Sequence, residues 1–139
     1  MRLPSPNPLA VSLGDPAGIG PEVIAKCWDN RRAFGLPPFV AIGDPGSVAA
    51  VWDGPLEMIE DPSQADAAFD HALPMIQLVA LEHDTPGHPS IAGAHLSLDS
   101  LELAVGLARS ASASAVVTGP VAKEQLYNIG FQHPGQTEF

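Results

Sequence analysis

The chain has 139 residues, 45% of them apolar, with sixteen acidic against six basic side chains and a net charge of −10 at pH 7. That balance excludes wholesale disorder, and it leaves no Lys/Arg cluster able to grip a nucleic-acid backbone or an anionic membrane surface. With Cys27 as the single cysteine, no signal-peptide core in Met1–Pro8 and no apolar run near the roughly 20 residues of a bilayer span, neither a disulfide framework nor a membrane segment is expected, and the setting is read as cytoplasmic.

Short apolar runs alternate with helix-like stretches, the pattern of βα units around a largely parallel sheet flanked by helices. Leu9–Leu13 is expected as a first strand, ending at Gly14-Asp15-Pro16. Pro21 then opens a helix to about Asn30, since a proline at a first helical position lacks only an N–H that would have no partner there. Phe39–Ile42 is a second strand, closed by Gly43-Asp44-Pro45-Gly46, and a short helix from Ser47 to Trp52 follows. Leu56–Ile59 and Ile76–Leu81 are expected strands; the acidic, Ala-rich stretch between them carries no clear period.

His83–Ser90, with its prolines and glycine, is a loop leading into a long helix from about Gly93 to Ser110. Leu98, Leu101, Val105 and Ala108 form one stripe on it, and Leu96, Leu103 and Leu107 a second, so cover on more than one side is expected. Ala115–Thr118 is a strand of the buried, β-branched kind. It leads through Gly119-Pro120 into a helix from about Val121 to Asn128, and the chain ends within the loop 130–139.

Three segments carry candidate chemistry. The turn Gly14-Asp15-Pro16-Ala17-Gly18-Ile19-Gly20 has the glycines for a tight bend and close backbone approach, followed by free N–H groups at a helix start. Its spacing is neither a Rossmann fingerprint nor a Walker loop, so a structural turn and a ligand-receiving turn both remain open, and Asp15 opposes direct phosphate contact. Thr118-Gly119-Pro120-Val121-Ala122-Lys123 lies at a strand's carboxyl end, where open α/β sheets place ligands. Lys123 in a helix's first turn runs against the macrodipole; it is either a functional cation or a solvated lysine beside Glu124. Pro134–Phe139 offers an amide (Gln136), a hydroxyl (Thr137) and a carboxylate (Glu138), suited to a hydroxylated substrate or to an ordinary turn. His83, His88 and His95 lack the one-face spacing of helical zinc motifs and are read as scattered surface residues. Cys27 is read as a small core filler.

Taken in order, GDPAGIGPE (14–22), PGHPSIAGAH (86–95), VVTGPVAKEQL (116–126) and PGQTEF (134–139) resemble the 4-hydroxythreonine-4-phosphate dehydrogenase family of vitamin B6 (pyridoxine, pyridoxal phosphate) biosynthesis. The first motif is also similar, more distantly, to the glycine-rich start of isopropylmalate and isocitrate dehydrogenases. The resemblance implies an isopropylmalate/isocitrate dehydrogenase-like α/β fold, incomplete in this chain, with residues 1–139 its amino-terminal portion. It implies NAD- or NADP-dependent oxidation of 4-phosphohydroxy-L-threonine, with decarboxylation to 3-amino-2-oxopropyl phosphate, and a homodimer whose interface holds a divalent metal (Zn, Mg or Co) on three histidines. Those histidines are expected downstream, and none maps onto this segment.

Where the family usually has GHTEF, its His and Thr contact substrate; they map to Gln136 and Thr137. A glutamine hydrogen-bonds but carries no charge and moves no proton near neutral pH. The resemblance further places Gly14, Asp15, Gly18 and Gly20 beside the cofactor cleft and Lys123 as a candidate phosphate or active-site lysine. Alternatives are a paralogue acting on another phosphorylated four-carbon hydroxy acid and a phosphate-binding acyltransferase of similar architecture. The segment alone is expected to be inactive, to expose apolar surface and to self-associate.

Overall fold

The computed structural model describes residues 6–80 and 82–139. Five strands, β1 (Leu9–Ser12), β2 (Phe39–Gly43), β3 (Leu56–Met58), β4 (Leu73–Gln77) and β5 (Val116–Thr118), form one sheet in the order β3-β4-β2-β1-β5. Every neighbouring pair is parallel, from Leu9 opposite Phe39 to Ser12 opposite Thr118. The helices are α1 (Gly20–Asp29), α2 (Pro45–Ala49), α3 (Ala65–Phe69), α4 (Ile91–Arg109) and α5 (Lys123–Asn128). The α/β expectation therefore holds, with all carboxyl ends of the sheet on one rim.

Strand alternation sorts the core. Val11, Leu13, Phe39 and Ala41 face Ile24, Ala25 and Trp28 of α1. Ala10 and Ile42 face the other way and pack with Ala104 of α4. Of the first expected stripe only Leu101 is buried; the rest of the buried face of α4 is Gly93, Ala94, Ser97, Ser100 and Ala104. Small residues let the helix lie close to the sheet, and Ser100 Oγ donates to the β2 carbonyl of Ile42 at 2.6 Å. Leu96, Leu98, Leu103 and Leu107 are left half-buried. By length (19 residues) and mean hydropathy (1.2) α4 would suffice to cross a membrane, which the sequence reading did not foresee, yet its inner face packs on β1 and β2 as a core helix.

Other differences have local causes. The strand expected at Ile76–Leu81 lies at Leu73–Gln77, because Leu73, Pro74 and Met75 take the buried positions; Leu81 is outside the described residues. The acidic stretch before it folds into a 3-10 turn (Pro62–Gln64) and α3, started by a capping box between Asp61 and Gln64. The short helix begins at Pro45 rather than Ser47, since Asp44 caps it by accepting from the Gly46 N–H at 3.0 Å. The strand β5 is an edge rather than a buried strand, with Val117 45% exposed. Cys27 is exposed and lines an apolar groove with Val23, Leu36, Val117 and Pro120, so it is no core filler.

Trp28 ties the α1 side together. It is 5% exposed, its Nε1 donates to the Phe69 carbonyl at 2.9 Å, and the Arg31 guanidinium sits 3.6 Å from its ring centre. Trp28→Ala is expected to cost about 3–5 kcal/mol in urea unfolding, whereas Trp28→Phe, which keeps most of the volume, should cost about 1–2 kcal/mol for the orphaned carbonyl.

Candidate functional site

The sheet order sets where a site can form. β1 and β5 are neighbours, but the chain leaves β1 towards α1 on one face and leaves β5 towards α5, which packs with α4 on the other. Diverging connections open a crevice at the carboxyl ends of two adjacent parallel strands, the position where open α/β sheets bind ligands. Both glycine-containing turns lie at this switch point.

The two turns interlock through backbone. The Asp15 N–H donates to the Pro120 carbonyl at 2.9 Å, and the Gly119 N–H donates to the Ser12 carbonyl at 2.7 Å. Gly14 has φ +78°, and a Cβ there would overlap the Pro120 carbonyl oxygen. A Cβ on Gly20 or on Gly119 would overlap the Leu13 carbonyl oxygen. These glycines are therefore required by close backbone approach, and the turn's shape follows from packing. Gly18 is exposed on the outer side of the same turn.

The third segment joins them. Gln136 is half-buried, and its Nε2 donates to the Gly119 carbonyl at 3.2 Å while its Oε1 is buried without a partner. Thr137 is exposed in a short 3-10 turn, Gln136–Glu138. Lys123 is exposed at the start of α5 and takes part in none of the ion pairs among the described residues. All three sequence-selected segments thus meet at the β1–β5 rim. A cleft of about 320 Å³ opens there, lined among others by Asp15, Gly18, Ile19, Pro120 and Ala122.

Asp15 is buried, 2% exposed. Its Oδ1 accepts the Ala17 N–H at 2.9 Å, and its Oδ2 has no partner. Burial pushes its carboxyl above the usual aspartate range; the Ala17 N–H opposes this, and the Asp84 charge adds to it.

A second cavity of about 550 Å³ lies beside the first, beyond the ends of β2 and β4. Asp44, Glu82, Asp84, His95 and Asp99 supply its polar wall, and Val79, Ile91 and Leu96 its apolar one. Asp44 Oδ2 and His83 Nδ1 share a hydrogen bond of 2.8 Å. Sequence reasoning weighed His83, Asp84, His88 and His95 as a cluster and read the histidines as scattered surface residues for want of helical spacing, and it gave Asp44 no role beyond the turn after β2. The Asp-Pro-Gly ending of β2, repeating the Gly-Asp-Pro ending of β1, was the one available signal. Among the described residues no three His, Cys, Asp or Glu side chains converge as metal ligands.

Known proteins place this fold in the dehydrogenase class. The structure of 4-hydroxythreonine-4-phosphate dehydrogenase from Klebsiella pneumoniae superposes with a TM-score of 0.84 at 28% identity, over 95% of this chain and 42% of that one. Residues 37–139 match the family model "Pyridoxal phosphate biosynthetic protein PdxA", and the chain belongs to that family. The 4-hydroxythreonine-4-phosphate dehydrogenase of Zymomonas mobilis is 49% identical over 133 residues, and that of Erythrobacter litoralis 46% over 138. The chain spans 40% and 41% of the length of these two relatives.

The glycine interlock makes a paired prediction. Gly20→Ala is expected to lose at least about 2 kcal/mol in urea unfolding, because backbone must move to admit the methyl group. Gly106→Ala, in α4 with open space around it, should gain about 0.5–1 kcal/mol.

Proposed function

We propose that this chain contributes one wall of an NAD(P)-dependent, metal-assisted dehydrogenase that oxidises the secondary hydroxyl of 4-phosphohydroxy-L-threonine. The product, after loss of CO2, is 3-amino-2-oxopropyl phosphate for pyridoxal phosphate synthesis. The observation that carries this reading is the meeting of the Gly14–Gly20 turn, the Thr118–Lys123 turn and Gln136 at the β1–β5 rim. Relatives named for this activity support it.

The roles follow from the chemistry of each group. Thr137, exposed at the cleft's outer loop, offers a hydroxyl that donates to and accepts from substrate oxygens. Gln136, bound to the Gly119 carbonyl, offers a neutral amide and keeps its loop on the β5–α5 turn. Lys123 supplies the cation that a substrate phosphate requires. The Gly14–Gly20 turn would border a bound nicotinamide, with Ile19, 62% exposed, as apolar cover. A bound nicotinamide supplies hydride acceptance, and residues here orient the alcohol towards it. The described residues offer no three-donor set for the divalent metal, so no step is assigned to it on this chain. We place the enzyme in the cytoplasm as a homodimer.

Gln136 favours one second reading, a paralogue acting on another phosphorylated four-carbon hydroxy acid. Family membership speaks against the acyltransferase alternative.

NADH or NADPH formation by the intact protein across a panel of phosphorylated hydroxy acids separates the two readings. The first expects the highest kcat/KM with 4-phosphohydroxy-L-threonine; a threonate or erythronate phosphate in first place would establish the second, and no turnover with any would refute both. Thr137→Ala is expected to lower kcat/KM about tenfold or more, the worth of one buried substrate hydrogen bond. The 139 residues assayed alone should show no metal-dependent turnover; robust turnover would contradict this.

A further inference from the structure

Two carboxyls on adjoining segments, Asp15 and Asp84, are not explained by the proposed chemistry. Asp15 and Asp84 are arranged alike. One oxygen of each is committed: Asp15 Oδ1 accepts the Ala17 N–H, and Asp84 Oδ1 accepts the Ser90 hydroxyl at 2.6 Å. The other oxygen of each, Oδ2 in both, is shut away from solvent with no partner. Such an orphan acceptor is costly inside a protein, and two neighbouring acids can offset the cost by holding something positive between them.

Their segments are in contact. The Gly87 N–H, in the loop 82–90, donates to the Ala17 carbonyl of the glycine turn at 2.7 Å. Asp84 Oδ2 and the Pro16 ring both close on the Cα of Gly93, where a Cβ would collide with the carboxylate. Ser90, held by Asp84, in turn caps α4 by accepting the Gly93 N–H at 3.0 Å.

We infer that Asp15 and Asp84 share one proton, carried on Asp15 Oδ2 and donated to Asp84 Oδ2, and that this bond seats the loop 82–90 on the glycine turn. The assignment of the proton to Asp15 has a physical basis. Asp84 lies at the amino end of the 19-residue α4, where a negative charge is favoured, while burial of Asp15 to 2% exposure favours its neutral form. Asp15 is thus a positioning residue. It acts through the loop, which forms walls of both cavities: Gly87 and Pro89 line the smaller, Glu82 and Asp84 the larger.

The other ionisable groups around the pair are Glu82, His83 and His88 of the loop, Asp44 after β2, His95 and Asp99 of α4, and Lys123 of α5. Glu82, Asp44 and Asp99 favour retention of a proton, and Lys123 and any protonated histidine oppose it. The sign follows from the raised Asp15 value: the seat is fully formed below the ordinary aspartate range and weakens as pH rises through the raised one.

Carboxyl carbon-13 and amide NMR titration of the intact protein tests this independently of what the cleft binds. Asp15 is expected to ionise above the ordinary aspartate range, with exchange protection of the Gly87 amide falling roughly tenfold or more over the same titration. In Asp15→Asn, whose amide still donates to Asp84, the Gly87 protection should persist and lose that pH response. The inference is overturned if Asp15 ionises in the ordinary range, or if Gly87 responds identically in wild type and Asp15→Asn. It is equally overturned if added calcium or magnesium shifts both carboxyls, which would make the pair a cation site.

Discussion

Two strand ends can come together as closely as β1 and β5 do only where no side chain intervenes. At the carboxyl rim the backbone of Leu13 and Ser12 runs against Gly119, and that of Pro120 against Gly14, with carbonyl oxygens standing where Cβ atoms would be. Hydrogen bonds from Asp15 to Pro120 and from Gly119 to Ser12 then hold the two turns as one unit. The candidate groups at the rim hang from that unit. Lys123 and Ala122 follow Gly119-Pro120, Gln136 bonds to the Gly119 carbonyl, and Asp15 sits directly after Gly14. Packing and function therefore make the same demand on these positions, which is why the glycines by themselves say little about chemistry.

The sheet topology turns this local contact into a binding position. Had α1 and α5 packed on one face, their turns would have covered the β1–β5 rim. They leave on opposite faces, so the rim stays open. The long helix α4 contributes from behind. Its buried side is serine, alanine and glycine, which brings it close enough for Ser100 to bond the β2 backbone and for Gly93 to admit Asp84. The acidic second cavity exists because that amino end of α4 stands over the loops after β2 and β4.

Much of this was legible in the sequence. Alternation of apolar runs with helical stretches gave the parallel α/β sheet, and Pro21 marked the start of α1 within one residue. The four ordered motifs led to the family that the comparisons support. What failed did so for identifiable reasons. The leucines of α4 suggested its buried face, but close sheet packing selects by size, and the small residues won. The strand β4 was placed too late because its buried positions, Leu73, Pro74 and Met75, close an acidic, Ala-rich stretch without a clear period. The cavity that joins Asp44 to Asp84 could not be read, since their loops are brought together only by strand order. Gln136 was legible as a departure from the family pattern, yet its bond to Gly119 could not be foreseen.

The central claim is that ligands enter at the β1–β5 switch point. A structure of the intact protein bound to oxidised nicotinamide cofactor and substrate tests it most directly. The account predicts the nicotinamide against the Gly14–Gly20 turn, with Thr137 within hydrogen-bonding distance of the substrate. A cofactor seated elsewhere, with the Gly14–Gly20 and Thr118–Lys123 turns untouched, would contradict it.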